Sequence, residues 1–259
     1  MTNSQPKIVV EGVTKKFGDH QVLDGVDLEV NVGESVVLIG GSASGKTLLF
    51  KCILGLITPD SGSIRIDGKE TIGLPAKERR ALFDRTGMLF QQSALFDSQT
   101  VWENIAFRLL QDKSINKADA KSRAVDKLVS VGMTPDVGEL LPSEISGGMQ
   151  KRVGFARAIA NDPEIVMLDE PTAGLDPIMT NIVSDLILDG VQQLGATVLS
   201  ITSNMAGARK IADRIAMLHG GKIIWFGPRD QVDDSGNPYL DQFIHNRAEG
   251  PIKMAVTAA

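Results

Sequence analysis

A glycine-rich segment carries the residues best suited to bind phosphate. It reads Gly40-Gly41-Ser42-Ala43-Ser44-Gly45-Lys46-Thr47 and matches the pattern G-x-x-x-x-G-K-S/T. In such a loop backbone N–H groups surround the phosphate oxygens, the lysine reaches the β- and γ-phosphates, and the threonine hydroxyl can bind Mg²⁺. A glycine-rich turn that binds nothing is the alternative. The apolar run SVVLI before the loop and the helical pattern TLLFKCILGL after it favour the nucleotide site.

Two carboxylates end an apolar run later in the chain. Residues 165–170 read IVMLDE, which predicts a buried strand that ends at Asp169 and Glu170. Because ligands bind at the carboxyl ends of strands in such sheets, Asp169 is placed to hold the Mg²⁺ shell. Glu170 is placed to act as general base toward an attacking water. A solvated Asp-Glu turn is the alternative, and the nearby phosphate loop makes it the weaker one.

A third motif, SGGMQ at residues 146–150, opens the helical pattern MQKRVGFARAIA. Ser146 is a favourable helix cap, and Gly147 and Gly148 permit a close approach of the backbone to an anion. A plain helix cap is the alternative for this motif taken alone. The chain thus has two helix starts suited to phosphate, and one ATP need not be enclosed by both from the same copy.

Alternating strands and helices must position these motifs, which is an α/β pattern. Strands are predicted at KIVVEGV, QVLDGVDLEV, SVVLI, SIRIDG, TGMLF, EIVMLD, ATVLSI, RIAML and KIIWFG, the last two joined by HGG as a hairpin. Only helical patterns occur from about Ser93 to Ala160. The sequence therefore predicts one domain over residues 7–228 with a helical subdomain inserted at about 93–160, followed by a C-terminal extension, 229–259.

Length and composition restrict the class of protein. A chain of 259 residues that is 42% hydrophobic can bury a full core. Its net charge of −5 argues against a nucleic-acid or anionic-membrane partner that would bind mainly through a basic surface. No apolar run approaches the roughly 18 residues of a spanning helix, and the N-terminus lacks a secretory signal, so we expect a cytoplasmic chain. The single cysteine, Cys52, is expected to be a buried core thiol and not a nucleophile.

The three motifs, in this order and spacing, resemble the nucleotide-binding domain of ABC transporters. The resemblance rests on the phosphate loop, on SGGMQ and on LDEPTAGLDP, and it covers the chain from about Ile8 to Pro228. It implies a P-loop NTPase fold with a RecA-like sheet core, an antiparallel β subdomain and an inserted α-helical subdomain. It also implies ATP and Mg²⁺ as cofactors. A second copy of the chain would form a head-to-tail dimer, in which SGGMQ of one subunit closes on ATP held by the other.

The same resemblance assigns further roles. Phe17 resembles the aromatic residue that stacks on adenine, Gln91 in MLFQQ resembles the Q-loop glutamine, and Asp176 resembles the D-loop aspartate. A core phenylalanine and a capping aspartate stay open as alternatives. The implied nucleotide-binding residues are Phe17, Gly40, Gly41, Ser42, Ala43, Ser44, Gly45, Lys46, Thr47, Ser146, Gly147, Gly148, Gln150 and Asp176. The implied Mg²⁺ ligands are Thr47, Gln91 and Asp169, and the implied catalytic residues are Glu170, Gln91 and Ser203.

One position departs from the family's pattern. Most ABC ATPases have T-H-D after the strand that follows the D-loop, and here the letters are Thr202-Ser203-Asn204. Ser203 thus stands where a histidine that contacts the γ-phosphate is expected, although Ser203 and Asn204 are ordinary as helix caps. Three interpretations stay open: the serine hydroxyl supports slower hydrolysis, the site is a switch that binds ATP without efficient turnover, or a neighbouring subunit supplies the contact. Because the other catalytic residues are present, an active ATPase is favoured, and whether its turnover is slow stays open.

Within the family, three segments resemble the ATPases of bacterial Mla-type systems, which move phospholipids to maintain the outer membrane. They read MLFQQSALFDSQTVWENIAF, SEISGGMQKRVGFARAIA and DEPTAGLDPI. This implies a peripheral location on the cytoplasmic face of the inner membrane and an integral permease that docks near residues 91–104. A periplasmic MCE lipid-binding protein and a STAS-domain protein would be further partners, and residues 236–252 would cross to another subunit. A small-solute importer is one alternative, and a soluble ABC protein of DNA repair or translation is another, disfavoured by the single compact domain.

Overall fold

The strands form two sheets, and both sheets contribute residues that border the phosphate loop. The structure, a computed structural model, describes residues 6–253. Its strands are β1 (Pro6–Phe17), β2 (His20–Asn31), β3 (Ser35–Ile39), β4 (Ser61–Ile66), β5 (Lys69–Glu70), β6 (Thr86–Leu89), β7 (Ile165–Asp169), β8 (Thr197–Thr202), β9 (Arg214–His219) and β10 (Lys222–Pro228). One sheet has the order β2-β1-β4-β5 and is antiparallel, and the other has the order β10-β9-β3-β8-β7-β6.

The larger sheet is parallel except for its edge strand β10, which pairs with β9 as the predicted hairpin. Every residue of SVVLI and of TVLSIT is buried, as expected for central strands covered on both faces. The register aligns Ile39 with Thr202, and Asp169 with Ile201. The ends of β3, β8 and β7 therefore lie side by side.

The helices cover both faces of this sheet. They are α1 (Lys46–Ile53), α2 (Ala76–Asp84), α3 (Val101–Ile105), α4 (Lys117–Ser130), α5 (Gly147–Ala158), α6 (Pro177–Leu194), α7 (Met205–Ile211) and α8 (Pro238–Ile244). Between residues 93 and 160 the described elements are helical, as predicted. The helix predicted over residues 47–56 ends earlier, at Ile53, because Gly55 takes a left-handed φ of 65°.

Two hydrophobic cores lie on opposite faces of the larger sheet. Val37 and Ile39 of β3 face the core formed with α3 to α6, whereas Val36 and Leu38 face the core shared with α1 and the antiparallel sheet. This alternation along one strand is the consequence of its two-residue period. Cys52 is 2% exposed in the second core, and burial raises the pKa of its thiol to about 11, so it is the expected core thiol.

The C-terminal segment after β10 packs against the first of these cores. Val232 and Leu240 are fully buried in it. Gln242 fastens the following residues, since its Oε1 accepts from Ile252 N at 2.7 Å and its Nε2 donates to Ile252 O at 3.0 Å. Residues 254–259 of the predicted extension lie outside the described residues. Across residues 6–253, none of the helices combines the length and the hydropathy that a membrane span requires.

Candidate nucleotide-binding site

Four loops meet at the carboxyl edge of the larger sheet. The phosphate loop follows β3, Ser203 follows β8, Glu170 follows β7, and Gln91 lies two residues after β6. These strands are neighbours in the order β3-β8-β7-β6. A crevice at the carboxyl ends of parallel strands is the place where α/β sheets bind ligands.

Close packing of the backbone shapes the phosphate loop. Gly45 has a φ of 103°, and a Cβ atom there would lie 2.9 Å from Leu23 Cδ2 and 3.1 Å from Val22 O. At Gly40 a Cβ atom would lie 2.4 Å from Leu218 O. Side chains at these two positions would push the loop away from β2 and β9, so its shape requires glycine.

The ammonium group of Lys46 lies over the loop. It donates to Gly40 O at 2.7 Å and to Gly41 O at 2.9 Å. Burial lowers the pKa of Lys46, and the carboxylates of Glu170 and Asp169 act in the opposite direction. Ser44 Oγ is buried without a hydrogen-bond partner within residues 6–253. An unpaired donor in a ring of backbone N–H groups fits a phosphate oxygen.

Asp169 offers a free oxygen for a metal ion. Its Oδ1 is buried and has no hydrogen-bond partner in the described part of the chain. Burial, and then the neighbouring Glu170, raise the pKa of this carboxyl group. A bound divalent cation would stabilise the ionised carboxylate against both its burial and the nearby charge of Glu170. Mg²⁺ is commonly held by one or two carboxylates together with substrate phosphates. The hydroxyl of the exposed Thr47 and the amide of the exposed Gln91 are the other predicted oxygen donors.

Glu170 is held from one side by the loop after β8. Its backbone is left-handed, with a φ of 45°. Its Oε2 accepts from Thr202 Oγ1 at 2.9 Å, from Ser203 N at 3.1 Å and from Ser203 Oγ at 3.4 Å. Asn204 caps α7, since its Oδ1 accepts from the N–H groups of the first turn. The capping role that was open between Ser203 and Asn204 therefore belongs to Asn204.

Thr202 and Lys151 belong to the site although the motifs assign neither residue a role. Lys151 of α5 is 7% exposed, and its Nζ donates to Gln91 O and, at 3.4 Å, to Glu170 O. Burial lowers the pKa of Lys151. For Lys151 the available signal is a charge in a helix that is rich in small and apolar residues. For Thr202 it is a hydroxyl at the end of a buried strand. Neither pattern identifies a partner without the fold.

The SGGMQ segment borders a cleft of 590 Å³, lined by α5, the loop after β6 that carries Gln91, and the loop before α6. Ser146 Oγ accepts from Met149 N at 3.3 Å, and Gly147 is exposed beside it. Gln150 Nε2 donates to Pro142 O at 2.9 Å. Asp176 borders the same cleft and caps α6, with Oδ1 accepting from two N–H groups at 2.9 Å. The cleft thus brings the signature motif and the D-loop aspartate together.

Phe17 lies at the end of β1, next to the hairpin turn into β2. It is 55% exposed, which excludes the alternative of a core phenylalanine. Lys15 Nζ lies 5.8 Å from the centroid of its ring. The same hairpin contacts the phosphate loop through Val22 and Leu23. An exposed, flat ring on this hairpin is available for a purine base.

Known proteins share this architecture and much of this sequence. A family model described as ABC transporter matches residues 23–173. The probable ribonucleotide transport ATP-binding protein mkl of Mycobacterium leprae is 40% identical over 248 residues, covering 96% of this chain and 71% of that protein. The protein TRIGALACTOSYLDIACYLGLYCEROL 3, chloroplastic, of Arabidopsis thaliana is 37% identical over 267 residues, covering 97% of this chain and 77% of that protein.

Solved structures show the same fold. A dimeric ATP-binding cassette in a post-hydrolysis state, bound to ADP and Pi, superposes with a TM-score of 0.79 at 29% identity. The superposition covers 86% of this chain and 98% of that one. The predicted α/β fold with its P-loop core and antiparallel β subdomain is therefore confirmed.

Proposed function

Since this chain belongs to the ABC transporter family, with ATP and Mg²⁺ as its cofactors, we propose that it hydrolyses ATP to drive a phospholipid transporter. The observation that carries the hydrolytic part is the geometry of Glu170. Its carboxylate ends the strand next to β8, beside the loop that holds Lys46, and its second oxygen is anchored by the loop after β8. A fixed carboxylate at this edge of the sheet is suited to act as a general base.

The residues of the crevice bind the nucleotide and activate the attacking water. The N–H groups of residues 40–47 and the Lys46 ammonium bind the β- and γ-phosphates and stabilise charge on them. Glu170 accepts a proton from the water that attacks the γ-phosphorus, and the bond from that phosphorus to the β–γ bridging oxygen breaks. The Gln91 side chain orients that water. The exposed ring of Phe17 stacks on the adenine base.

Asp169, Thr47 and Gln91 are the residues that would hold Mg²⁺. Mg²⁺, when bound, neutralises charge between the β- and γ-phosphates. Asp169 Oδ1 is the strongest ligand among these groups, because it is a buried carboxylate oxygen that has no partner in residues 6–253. We expect Asp169→Asn to weaken nucleotide binding in the presence of Mg²⁺ more than in its absence.

A second copy of the chain completes the site. The signature residues Ser146 to Gly148 line the 590 Å³ cleft together with Gln91, and residues 40–47 are not among the residues that line it. A head-to-tail dimer would bring this cleft of one copy to the phosphate loop of the other. The helix start of α5, capped by Ser146, would then face the γ-phosphate from the opposite side.

A membrane permease would dock in an apolar groove of 610 Å³ beside β6. Phe90 and Phe96 line it with 40% and 41% of their surface exposed, and Phe107 packs on Phe96 with ring centroids 4.6 Å apart. Asn104 is fully buried and fixes the loop at the rim, donating to the carbonyls of Phe96, Gln99 and Thr100. A preformed groove of aromatic residues suits an amphipathic helix of the permease. This contact would hold the chain at the cytoplasmic face of the inner membrane.

Phospholipid is the cargo that we propose, with an MCE protein and a STAS-domain protein as further subunits. Support comes from the three segments that resemble Mla-type ATPases and from the Arabidopsis relative, whose name contains a galactolipid. The Mycobacterium relative is named for ribonucleotide transport, and a small-solute importer is therefore the second candidate. The cargo-binding surface of such a transporter belongs to the permease, so the ATPase site is compatible with either.

The decisive measurement of hydrolysis is steady-state ATP turnover of the chain purified with its membrane partner. Glu170→Gln should lower turnover by about a hundredfold or more and leave ATP binding intact, because only the base is removed. Glu29→Gln, which changes an exposed carboxylate of β2, is the matched control and should keep normal turnover. Turnover of Glu170→Gln equal to that of the control would overturn the proposed role.

The cargo can be tested with the same preparation in lipid nanodiscs. If phospholipid is moved, a fluorescent phospholipid should leave the nanodisc or enter it only with ATP, and Glu170→Gln should abolish the movement. Ribonucleotides that stimulate turnover and are carried across a vesicle membrane, with no ATP-dependent lipid movement, would favour the importer. Recovery of the chain with ribosomes or DNA in place of a membrane protein would contradict both.

A further inference from the structure

The hydroxyl of Thr202 has a fixed direction. Thr202 is 3% exposed at the end of β8, and its Oγ1 lies 2.9 Å from Glu170 Oε2. The same Oγ1 accepts a hydrogen bond from Asn204 N at 3.0 Å. A hydroxyl has a single proton, and a carboxylate oxygen can only accept. The proton of Thr202 therefore points at Glu170.

We propose that Thr202 is the positioning residue for Glu170, an inference that rests on the proposed role of Glu170 as the base. Its hydroxyl and the Ser203 N–H hold Oε2, and the hydrogen bonds among residues 6–253 leave Oε1 free. One oxygen anchors the carboxylate while the other is available to water. Glu170 also has a left-handed backbone, which is unfavourable for a residue with a side chain. The hydrogen bonds to its carboxylate therefore help to hold the residue in this conformation.

Thr202 is the side chain on which this anchor depends. Ser203 contributes chiefly its backbone N–H, which most substitutions retain, and its Oγ lies at the longer distance of 3.4 Å. Hydrogen bonds weaken with distance, and those to a charged group are the stronger ones. Thr202 matches the threonine of the T-H-D pattern, so this anchor for Glu170 is present although position 203 is a serine.

The same strand offers a matched control. Thr197 lies at the opposite end of β8, is 1% exposed, and its Oγ1 accepts from Gly33 N at 2.9 Å. Thr202→Val and Thr197→Val each remove one buried hydroxyl and leave one backbone N–H without its partner. If Thr202 only stabilises the fold, the two variants should behave alike.

The test is the kinetics of the complex with Thr202→Val, Thr202→Ser and Thr197→Val. We expect Thr202→Val to lower kcat by about tenfold or more while KM and the affinity for a fluorescent ATP analogue change by about twofold or less. Thr202→Ser, which keeps the hydroxyl, should restore kcat, and Thr197→Val should lower the thermal midpoint without lowering kcat. A kcat of Thr202→Val equal to that of Thr197→Val would overturn the inference.

A double-mutant cycle separates this inference from the proposed function. In the Glu170→Gln background, Thr202→Val should cause no further loss in single-turnover hydrolysis, because Thr202 acts through the carboxylate. An equal loss in both backgrounds contradicts the positioning role. If Glu170→Gln alone is fully active, the proposed function fails, whereas an inactive Glu170→Gln with a fully active Thr202→Val means that only this inference fails. Thr202→Ala replaces the valine variant in every arm if the latter does not fold.

Discussion

At position 203 the chain has a serine where the family's pattern has a histidine, and its hydroxyl lies 3.4 Å from Glu170 Oε2. The structure therefore directs this side chain toward Glu170 of the same subunit, the proposed general base. A hydroxyl is also shorter than an imidazole ring and reaches less far from the strand end. Of the three interpretations left open by the sequence, the hydrogen bonds that anchor Glu170 support an active ATPase, and its rate is left to the measurement of turnover.

We predict that Ser203→His raises ATP turnover. An imidazole can donate to a phosphate oxygen, and one such donor to developing charge contributes about 10²- to 10³-fold in rate when nothing replaces it. The measurement is steady-state turnover of the complex at saturating ATP. Ser203→Ala is the control: it loses only the long contact and should lower turnover by about two- to threefold. Turnover of Ser203→His equal to that of the unmodified chain would remove the idea that the serine limits the reaction.

At the scale of elements, the site depends on the spacing between β6 and α5. Gln91 follows β6, while Lys151 of α5 donates to Gln91 O and holds this loop in place. The strand and the helix approach closely at Gly87, where a Cβ atom would lie 2.1 Å from Ala158 O and 3.0 Å from Pro163 Cγ. The backbone of α5 cannot move aside as a flexible side chain could. This glycine therefore sets how near α5 lies to the sheet.

Gly87→Ala is predicted to lower the free energy of unfolding by about 1–3 kcal/mol, or more, because the added methyl group overlaps backbone atoms. Urea unfolding followed by circular dichroism measures the change. Gly138→Ala provides the control, since a Cβ atom there would meet its nearest neighbour, Leu128 Cδ2, at an ordinary 3.6 Å. Equal stability of the two variants would show that β6 and α5 separate at little cost.

The elements that the sequence predicted well are those with a strong local pattern. Buried strands such as SVVLI and TVLSIT are continuous apolar runs, and each phosphate-binding motif is contiguous in the chain. The sequence does not predict α2, because this helix is rich in charge and has no buried residue to mark a periodic face. Thr202 and Lys151 were missed for another reason. Their partners, Glu170 and Gln91, lie 32 and 60 residues away, so only the fold brings them together.

At the scale of the whole molecule, an ionic cluster fastens the antiparallel sheet to the larger sheet. Lys7 of β1 lies 2.8 Å from Asp67 and 2.7 Å from Glu164, and its side chain is 8% exposed. Arg85, just before β6, contacts the same two carboxylates, with Nε 2.7 Å from Glu164 Oε1. Glu164, just before β7, and Asp67 each contact both cations. The cluster therefore connects the antiparallel sheet, which carries Phe17, to β6 and β7, the strands that precede Gln91 and Glu170.

This cluster predicts a specific dependence of stability on pH. Hydrogen bonds from Arg85 and then from Lys7 lower the pKa of Glu164 from an ordinary value of 4.5 to about 2. A carboxyl group whose pKa is lowered by folding stabilises the folded state above its ordinary pKa. That contribution is lost as the pH falls from about 4.5 toward about 2. Because Glu164 is about half exposed, solvent screening limits the contribution to about 1 kcal/mol.

Glu164→Gln tests the prediction, since it removes the charge and keeps the shape. Urea unfolding of both proteins between about pH 6 and about pH 3 should show the unmodified chain more stable at the upper end, with the difference shrinking as Glu164 is protonated. The other carboxylates titrate in both proteins, so the difference between the two curves isolates Glu164. A constant difference over this range would mean that Glu164 acts through packing alone. A shrinking one would show that the two sheets are held together in part by charge.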